Sequence, residues 1–277
     1  MRVLGVVGPS DSGKTTLVER LTERLTERGR VATVKHLRTE PTVDTEGKDT
    51  ARHRAAGAAV TYGLTEDAGW FATGHERSLG ETLDDLAPHY DYALVEGYSD
   101  ARIPTVVLDG RDHAGETVVT AADADDADVE RLVAAVEDLE PYETLESLVA
   151  DVKTSPDADL AGAIATFTGR VRRKDDPDDD PTEHLEFEKY EGVAAERMAA
   201  LRADLERRDG VYGVRLHHRT GVVDVGEDIV FVVILAGHRA EAFRAVEDGI
   251  DRLKDEVPLF KKEVTVEDTF WAHERDA

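Results

Sequence analysis

The chain has no cysteine, which removes disulfides, thiolate metal ligands and any catalytic or sulfur-carrying thiol of its own. Aromatic residues are only 6% of the 277, so its cores must be filled largely by Val, Leu, Ile and Ala. Positive charge is also short: 34 Lys and Arg stand against 60 Asp and Glu, a formal net charge of -26. A chain with that balance repels phosphate backbones, and no nucleic-acid partner is expected. No apolar run approaches the length of a bilayer span, and no charged leader precedes an apolar stretch at the start. The expectation is a soluble, cytoplasmic protein with no membrane partner. Acid is spread through both halves, and Arg outnumbers Lys, of which there are nine. Such a composition suits a halophilic proteome, where salt screens the self-repulsion.

What is present is length enough for two domains of about 130 to 140 residues each. In the first half, apolar runs at Val3 to Val7, Val31 to Val34, Ala58 to Tyr62, Tyr92 to Val95 and Thr105 to Leu108 alternate with helix-compatible segments. Those segments include Thr15 to Arg28, with Leu17, Leu21 and Leu25 on one face, and Leu79 to Leu86. This rhythm predicts an α/β domain with a mainly parallel sheet. An acidic helix over Asp123 to Glu140 is closed by Pro141, which places the boundary there: domains 1–140 and 141–277. The second half predicts an α+β domain. Its expected strands are Gly162 to Val171, Leu185 to Tyr190, Val214 to Arg219, Ile229 to Leu235 and Lys262 to Val266, with helices at Ala194 to Arg207 and Ala240 to Glu256. The run Asp175 to Glu183 reads as a solvated loop.

Gly8-Pro-Ser10-Asp11-Ser12-Gly13-Lys14-Thr15, after a strand and before a helix, matches the P-loop pattern, with an ordinary glycine turn as the alternative. Glycine lets backbone N–H groups face phosphate oxygens, and the helix N-terminus adds positive potential. Lys14 neutralises terminal phosphates, and the Thr15 hydroxyl is a Mg²⁺ ligand. Glu96, at the carboxyl end of Tyr92 to Val95, is the acid that would hold or polarise the metal; a surface acid capping a strand is the alternative. No Asn-Lys-X-Asp run distinguishes guanine from adenine. Gly8 to Thr16, Val34-Lys35-His36, Gly47-Lys48-Asp49 running into Arg52-His53-Arg54, and Val95-Glu96-Gly97-Tyr98 together resemble the molybdopterin-guanine dinucleotide biosynthesis protein B (MobB) family over residues 1 to 138. The resemblance implies GTP with Mg²⁺ as cofactors, Gly8, Ser10, Asp11, Ser12, Gly13, Lys14, Thr15 and Thr16 as the nucleotide loop, weak GTPase activity and a homodimer. Asp49, Arg52, His53 and Arg54 fall on about one helical turn, either near the nucleotide or dimer contact or as a solvated face with an ion pair.

In a chain so poor in Lys, three fall between Lys254 and Lys262. Pro258 puts Lys254 on a helix end and Lys261 on the following strand. Arg170, Arg172 and Arg173 follow one strand and His238-Arg239 another, and alternation would set Arg170 and Arg172 on one face. Cations gathered at strand ends of an acidic protein make an anion site, or else balance nearby acids. Phe167-Thr-Gly169, Leu185-Glu-Phe-Glu188, His218-Arg219 with Gly221, Val225-Gly226-Glu227, Ala236-X-His238-Arg239 and Lys254 with Pro258-X-Phe-Lys261-Lys262-Glu263 resemble the molybdopterin synthase catalytic large subunit (MoaE) family from about 144 to 277. That resemblance implies Lys254 and Lys261 as catalytic lysines, with Arg172, His238 and Arg239 binding the pterin substrate. It further implies conversion of cyclic pyranopterin monophosphate to molybdopterin by sulfur from a small ubiquitin-like carrier ending in Gly-Gly, with no cofactor in this domain. Two other readings remain open: a scaffold for ubiquitin-like modifiers, and a P-loop small-molecule kinase.

Overall fold

The computed structural model describes residues 1–39, 47–174, 176–190, 192–265 and 269–271, and the chain divides into two compact units, Met1–Tyr142 and Glu143–Ala277. Asp175 of the acidic loop and Val266, the expected end of the last strand, lie outside the described residues.

In the first unit the order is β1 (Arg2–Val7), α1 (Lys14–Leu25), β2 (Val31–Lys35), α2 (Asp49–Ala55), β3 (Val60–Leu64), β4 (Trp70–Gly74), α3 (Leu79–Leu86), β5 (Tyr92–Glu96), β6 (Thr105–Leu108), β7 (Thr117–Ala121) and α4 (Val129–Asp138). Five strands form an all-parallel sheet in the order β2-β5-β1-β6-β7. Leu4, Val6 and Leu94 pack with Leu17, Leu21 and Leu25 of α1 and Leu132, Val133 and Val136 of α4 on one face. Val3, Ala93 and Val95 meet Leu83 of α3 and Ala87, just past its end, on the other. Burial on both faces is why these strands are unbroken apolar runs in the sequence, and each fully buried Leu contributes about 1.5–3 kcal/mol. Strands β5 and β6 flank β1, so sheet growth reverses at β1 and a crevice opens above its carboxyl end.

Ala58 to Tyr62 does not join that sheet. Its strand, β3, pairs antiparallel with β4 in a separate hairpin, whose one face leaves Val60, Tyr62, Leu64 and Trp70 exposed. The acidic helix is also shorter than expected: the Asp123 carboxylate accepts from the N–H groups of Asp125 and Asp126, holding a turn, and Asp128 caps α4.

The second unit comprises α5 (Leu145–Val152), β8 (Ala163–Arg170), β9 (Thr182–Lys189), α6 (Val193–Glu206), β10 (Val211–His218), β11 (Gly221–Asp224), β12 (Asp228–Ala236), α7 (Arg239–Glu256), β13 (Leu259–Thr265) and β14 (Thr269–Trp271). One sheet is β10-β12-β8 and a second is β11-β9-β13-β14. Central β12 alternates between two cores. Phe231, Val233 and Leu235 meet Leu148 and Val152 of α5, while Val230, Val232, Ile234 and Ala236 meet Leu201 and Leu205 of α6 and Ala242, Ala245, Ile250 and Leu253 of α7. A smaller cluster of Val171, Leu185, Phe187, Val223 and Ile229 lies under the second sheet. Among the described residues no helix is long and apolar enough to cross a membrane.

Candidate functional site

In the first unit two strands and the start of α1 deliver one side chain each to the crevice. The loop after β1 turns at Asp11 (φ 66) and Gly13 (φ 81). A Cβ at Gly13 would stand 2.6 Å from the Ala124 Cβ, and one at Gly8 would stand 2.5 Å from Ser12 Oγ. Both positions therefore require glycine, through conformation at the first and space at the second. Ser12 donates to the Pro9 carbonyl at 3.0 Å and the Lys14 ammonium donates to the same carbonyl. Ser10, Asp11 and Thr16 are exposed on the loop and the first turn of α1.

The Thr15 hydroxyl donates to Glu96, 3.0 Å from Oε1 and 3.1 Å from Oε2. Glu96 is buried at the end of β5. Register pairs it with Lys35 at the end of β2, whose ammonium lies 2.9 Å from Glu96 Oε1 and 3.1 Å from Thr15 Oγ1. Octahedral Mg²⁺ holds oxygens at 2.0–2.1 Å, so neighbouring ligands stand about 2.9 Å apart; the Thr15 and Glu96 oxygens fit that spacing. Lys35 belongs to this site although its sequence motif carried no assigned role. The usable signal was a scarce Lys at a strand's carboxyl end. Beside it His36 stacks on Tyr98 with ring centroids 4.4 Å apart. Asp49 and Arg52 form an exposed pair at 3.5 Å on α2, which also carries His53 and Arg54.

In the second unit α7 decides which cations can meet. It starts two residues after β12, and Gly249 lies against Val232, where an added Cβ would be 3.1 Å from Cγ1. The helix therefore runs back along β12 towards Asp228, which pairs with Arg170 of β8. Lys254, exposed in the last turn, lies at that end. His238 caps the other end of α7 and Arg239 is its first residue, both exposed. At 1.5 Å per residue, Lys254 and His238 are about 24 Å apart. One chain thus brings Lys254 to the Arg172 end of the sheet and leaves His238 and Arg239 at the opposite end, contrary to a single cluster of all five.

Arg170 and Arg172 do not share a strand face either. Strand β8 ends at Arg170, whose guanidinium donates to the Gly226 carbonyl at 2.9 Å; Arg172 follows on the exposed loop.

Lys261 lies within β13, which begins three residues before the expected Lys262. It pairs with Phe187 of β9, and Lys262 pairs with Glu186. Adjacent residues point to opposite faces. Lys262 therefore goes outward to Glu186 at 2.9 Å, while Lys261 shares a face with Phe187 and with buried Glu263, 3.9 Å away. Thr182 donates to Glu263, so the carboxylate is held from two sides.

On that face the His218 ring meets Phe187 edge-on, with centroids 4.8 Å apart, and its Nδ1 donates to the Arg219 carbonyl at 2.7 Å. Burial lowers the pKa of His218. His217, stacked 6.2 Å from Phe231, is pushed down to about 4, first by burial and then by the charges of His218 and Arg219; at pH 7 its imidazole is neutral. The sequence showed the His218-Arg219 pair but not its packing on Phe187, which depends on two sheets meeting.

Comparison with known proteins follows the two-unit division. A model described as molybdopterin guanine dinucleotide synthesis protein B (MobB) matches residues 3–137, and one described as MoaE protein matches residues 136–256. A probable molybdopterin synthase of Haloferax volcanii is 55% identical over 275 residues, 99% of this chain and 100% of that protein. The molybdopterin synthase catalytic subunit of Bacillus subtilis is 37% identical over 111 residues, 40% of this chain and 69% of its own. The crystal structure of Bacillus subtilis MobB is 27% identical and covers 49% of this chain and 98% of its own, with a TM-score of 0.38.

Proposed function

The chain belongs to the molybdopterin synthase family, with a MobB unit ahead of the catalytic one, and from that premise we propose that it makes the dithiolene of the molybdenum cofactor and binds GTP with Mg²⁺ in service of the same pathway. It is an enzyme of molybdenum cofactor biosynthesis. The observation that carries the catalytic reading is Lys261, held by buried Glu263 on the same face as Phe187, on the strand that follows the Lys254 helix end. An amine beside other cations can accept a proton or attack an acyl carbon, while a charged neighbour stabilises the developing oxyanion.

With no cysteine in the chain, sulfur must arrive from elsewhere. A thiocarboxylate on the C-terminal Gly-Gly of a small ubiquitin-like partner provides it. Its sulfur attacks a pterin side-chain carbon and displaces the oxygen substituent that carbon carries, with a lysine ammonium available to protonate the departing oxygen; water then cleaves the acyl–sulfur bond, leaving carboxylate on the partner and thiolate on the pterin. Two rounds complete the dithiolene. Arg172, His238 and Arg239 are assigned to the pterin phosphate. The test is incubation of the chain with cyclic pyranopterin monophosphate and thiocarboxylated partner. Dithiolene product is expected only with both, and mass spectrometry is expected to find no sulfur added to the chain. Product formed at a comparable rate from sulfide without the partner overturns the carrier requirement.

The separation along α7 supports a two-chain site within this reading. His238 and Arg239 reach Lys254 and Lys261 from a second copy, in a two-fold dimer whose sites each use both chains. Mixing inactive Lys261→Ala and His238→Ala chains then regenerates one intact site per mixed dimer. About a quarter of wild-type activity is expected in an equal mixture, by random pairing across the two-fold. No recovery after subunit exchange, with exchange verified by native mass spectrometry, places all five residues in one chain's site.

In the first unit Gly8 to Thr16 cradle the phosphates, Lys14 neutralises them, and Thr15 with Glu96 would hold Mg²⁺, which supplies charge neutralisation between the phosphate oxygens.

A further inference from the structure

We infer that Lys35 is an internal competitor for the divalent cation: its ammonium and Mg²⁺ use the same two oxygens, so the metal is admitted only together with nucleotide. The inference rests on the reading of the P-loop as a nucleotide site. Three observations carry it. Lys35 Nζ lies 2.9 Å from Glu96 Oε1 and 3.1 Å from Thr15 Oγ1, and those two oxygens are themselves 3.0 Å apart, the spacing of adjacent Mg²⁺ ligands. The placement is built into the sheet, because β2 and β5 run parallel in a register that sets Lys35 beside Glu96. Finally, the Lys35 side chain is 51% exposed while that of Glu96 is 10% exposed. The carboxylate is fixed and the ammonium, on a flexible four-carbon stem, is free to swing.

Mg²⁺ and the ammonium do not share these oxygens at contact distance, since their mutual repulsion at about 4 Å exceeds the ammonium's own attraction to Glu96. A lone divalent ion must displace Lys35 with no compensating anion. When nucleotide arrives, its phosphates supply negative charge for both cations, and Lys35 can turn from Glu96 to a phosphate oxygen alongside Lys14. Lys35 thereby couples metal entry to nucleotide entry, and keeps Glu96 neutralised in a protein that already carries excess acid.

The probe is Mn²⁺, followed by electron paramagnetic resonance on the full-length chain without nucleotide, in high salt to suppress surface binding. Lys35→Met removes the charge from a half-exposed side chain and leaves the core untouched. Relative to wild type it is expected to gain one Mn²⁺ site at least ~10-fold tighter than any in the parent. The double variant Lys35→Met/Glu96→Gln is expected to lose that site, which distinguishes it from the acidic surface. Equal Mn²⁺ affinity in wild type and Lys35→Met overturns the inference, as does a gained site that survives Glu96→Gln. Calorimetric titration of GTP with Mg²⁺ onto the wild-type chain tests the underlying reading separately: absence of nucleotide binding overturns the P-loop assignment, whereas the Mn²⁺ comparison still decides whether Lys35 competes for the two oxygens.

Discussion

Replacing either Lys261 or Lys254 with alanine is expected to lower dithiolene formation at least ~100-fold, the scale for removing one positioned acid–base or oxyanion group. The two residues allow chemistry to be separated from folding. Lys254 is exposed in the last turn of α7, where Leu253 and Val257 make the core contacts, so its loss leaves the helix anchored. Lys261 is harder to remove cleanly, because Glu263 is 6% exposed and loses the ion pair. Its carboxylate keeps the Thr182 hydroxyl, and Lys261→Gln retains side-chain length for comparison. Single-turnover product yield, read beside the denaturation midpoint of each variant, distinguishes the causes. A large loss of product at unchanged midpoint marks a reacting amine. Full activity in both alanine variants removes the two lysines from the chemistry, whereas no product even from the wild-type chain favours the scaffold reading, in which the fold binds a ubiquitin-like tail without using it.

The second large effect is expected in the other unit. Lys14→Ala should weaken nucleotide binding by ~100-fold or more, since a P-loop lysine contacts the terminal phosphates where charge is densest. Sulfur transfer should continue at the wild-type rate, because each unit has its own core: α1 and α4 close one side of the parallel sheet, and α6 and α7 cover the second unit's three-stranded sheet. Calorimetry in high salt checks the first half and the product assay the second. Undiminished affinity in the variant sinks the P-loop assignment, and GTP displacing ATP in competition supports guanine as the base.

What the sequence disclosed follows from how each element is buried. Strands β1, β5 and β6 are covered on both faces and were legible as apolar runs; α1 and α3 were legible from their spacing of leucines. The hairpin escaped because Val60, Tyr62, Leu64 and Trp70 stay exposed, so an apolar run there signals no shared sheet. Helix α5 escaped because two turns after Pro141 give too short a period to register. Strand β9 starts at Thr182, inside what reads as a polar loop, since only three of its eight residues are buried. For the sites, loop and strand-end residues could be named from local pattern. The contacts that group or separate them could not. Glu96 meets Lys35 through sheet register, and His238 is kept from Lys254 by the length of α7, a property of the rigid rod rather than of either residue type.

The chain between the two units is a joint rather than a shared element. Tyr142 donates its N–H to the Met1 carbonyl and its hydroxyl to Asp84 at 2.7 Å, so the last residue of the first unit is sewn to the beginning of its own sheet. Two residues later, Thr144 and Ser147 satisfy each other's backbone N–H groups at the start of α5, and the second unit begins with its helix end already finished. An ancestral splice at this point would have left both partners' backbones whole, which is the condition under which two independently inherited proteins can be joined into one reading frame, and parted again, without either having to be rebuilt.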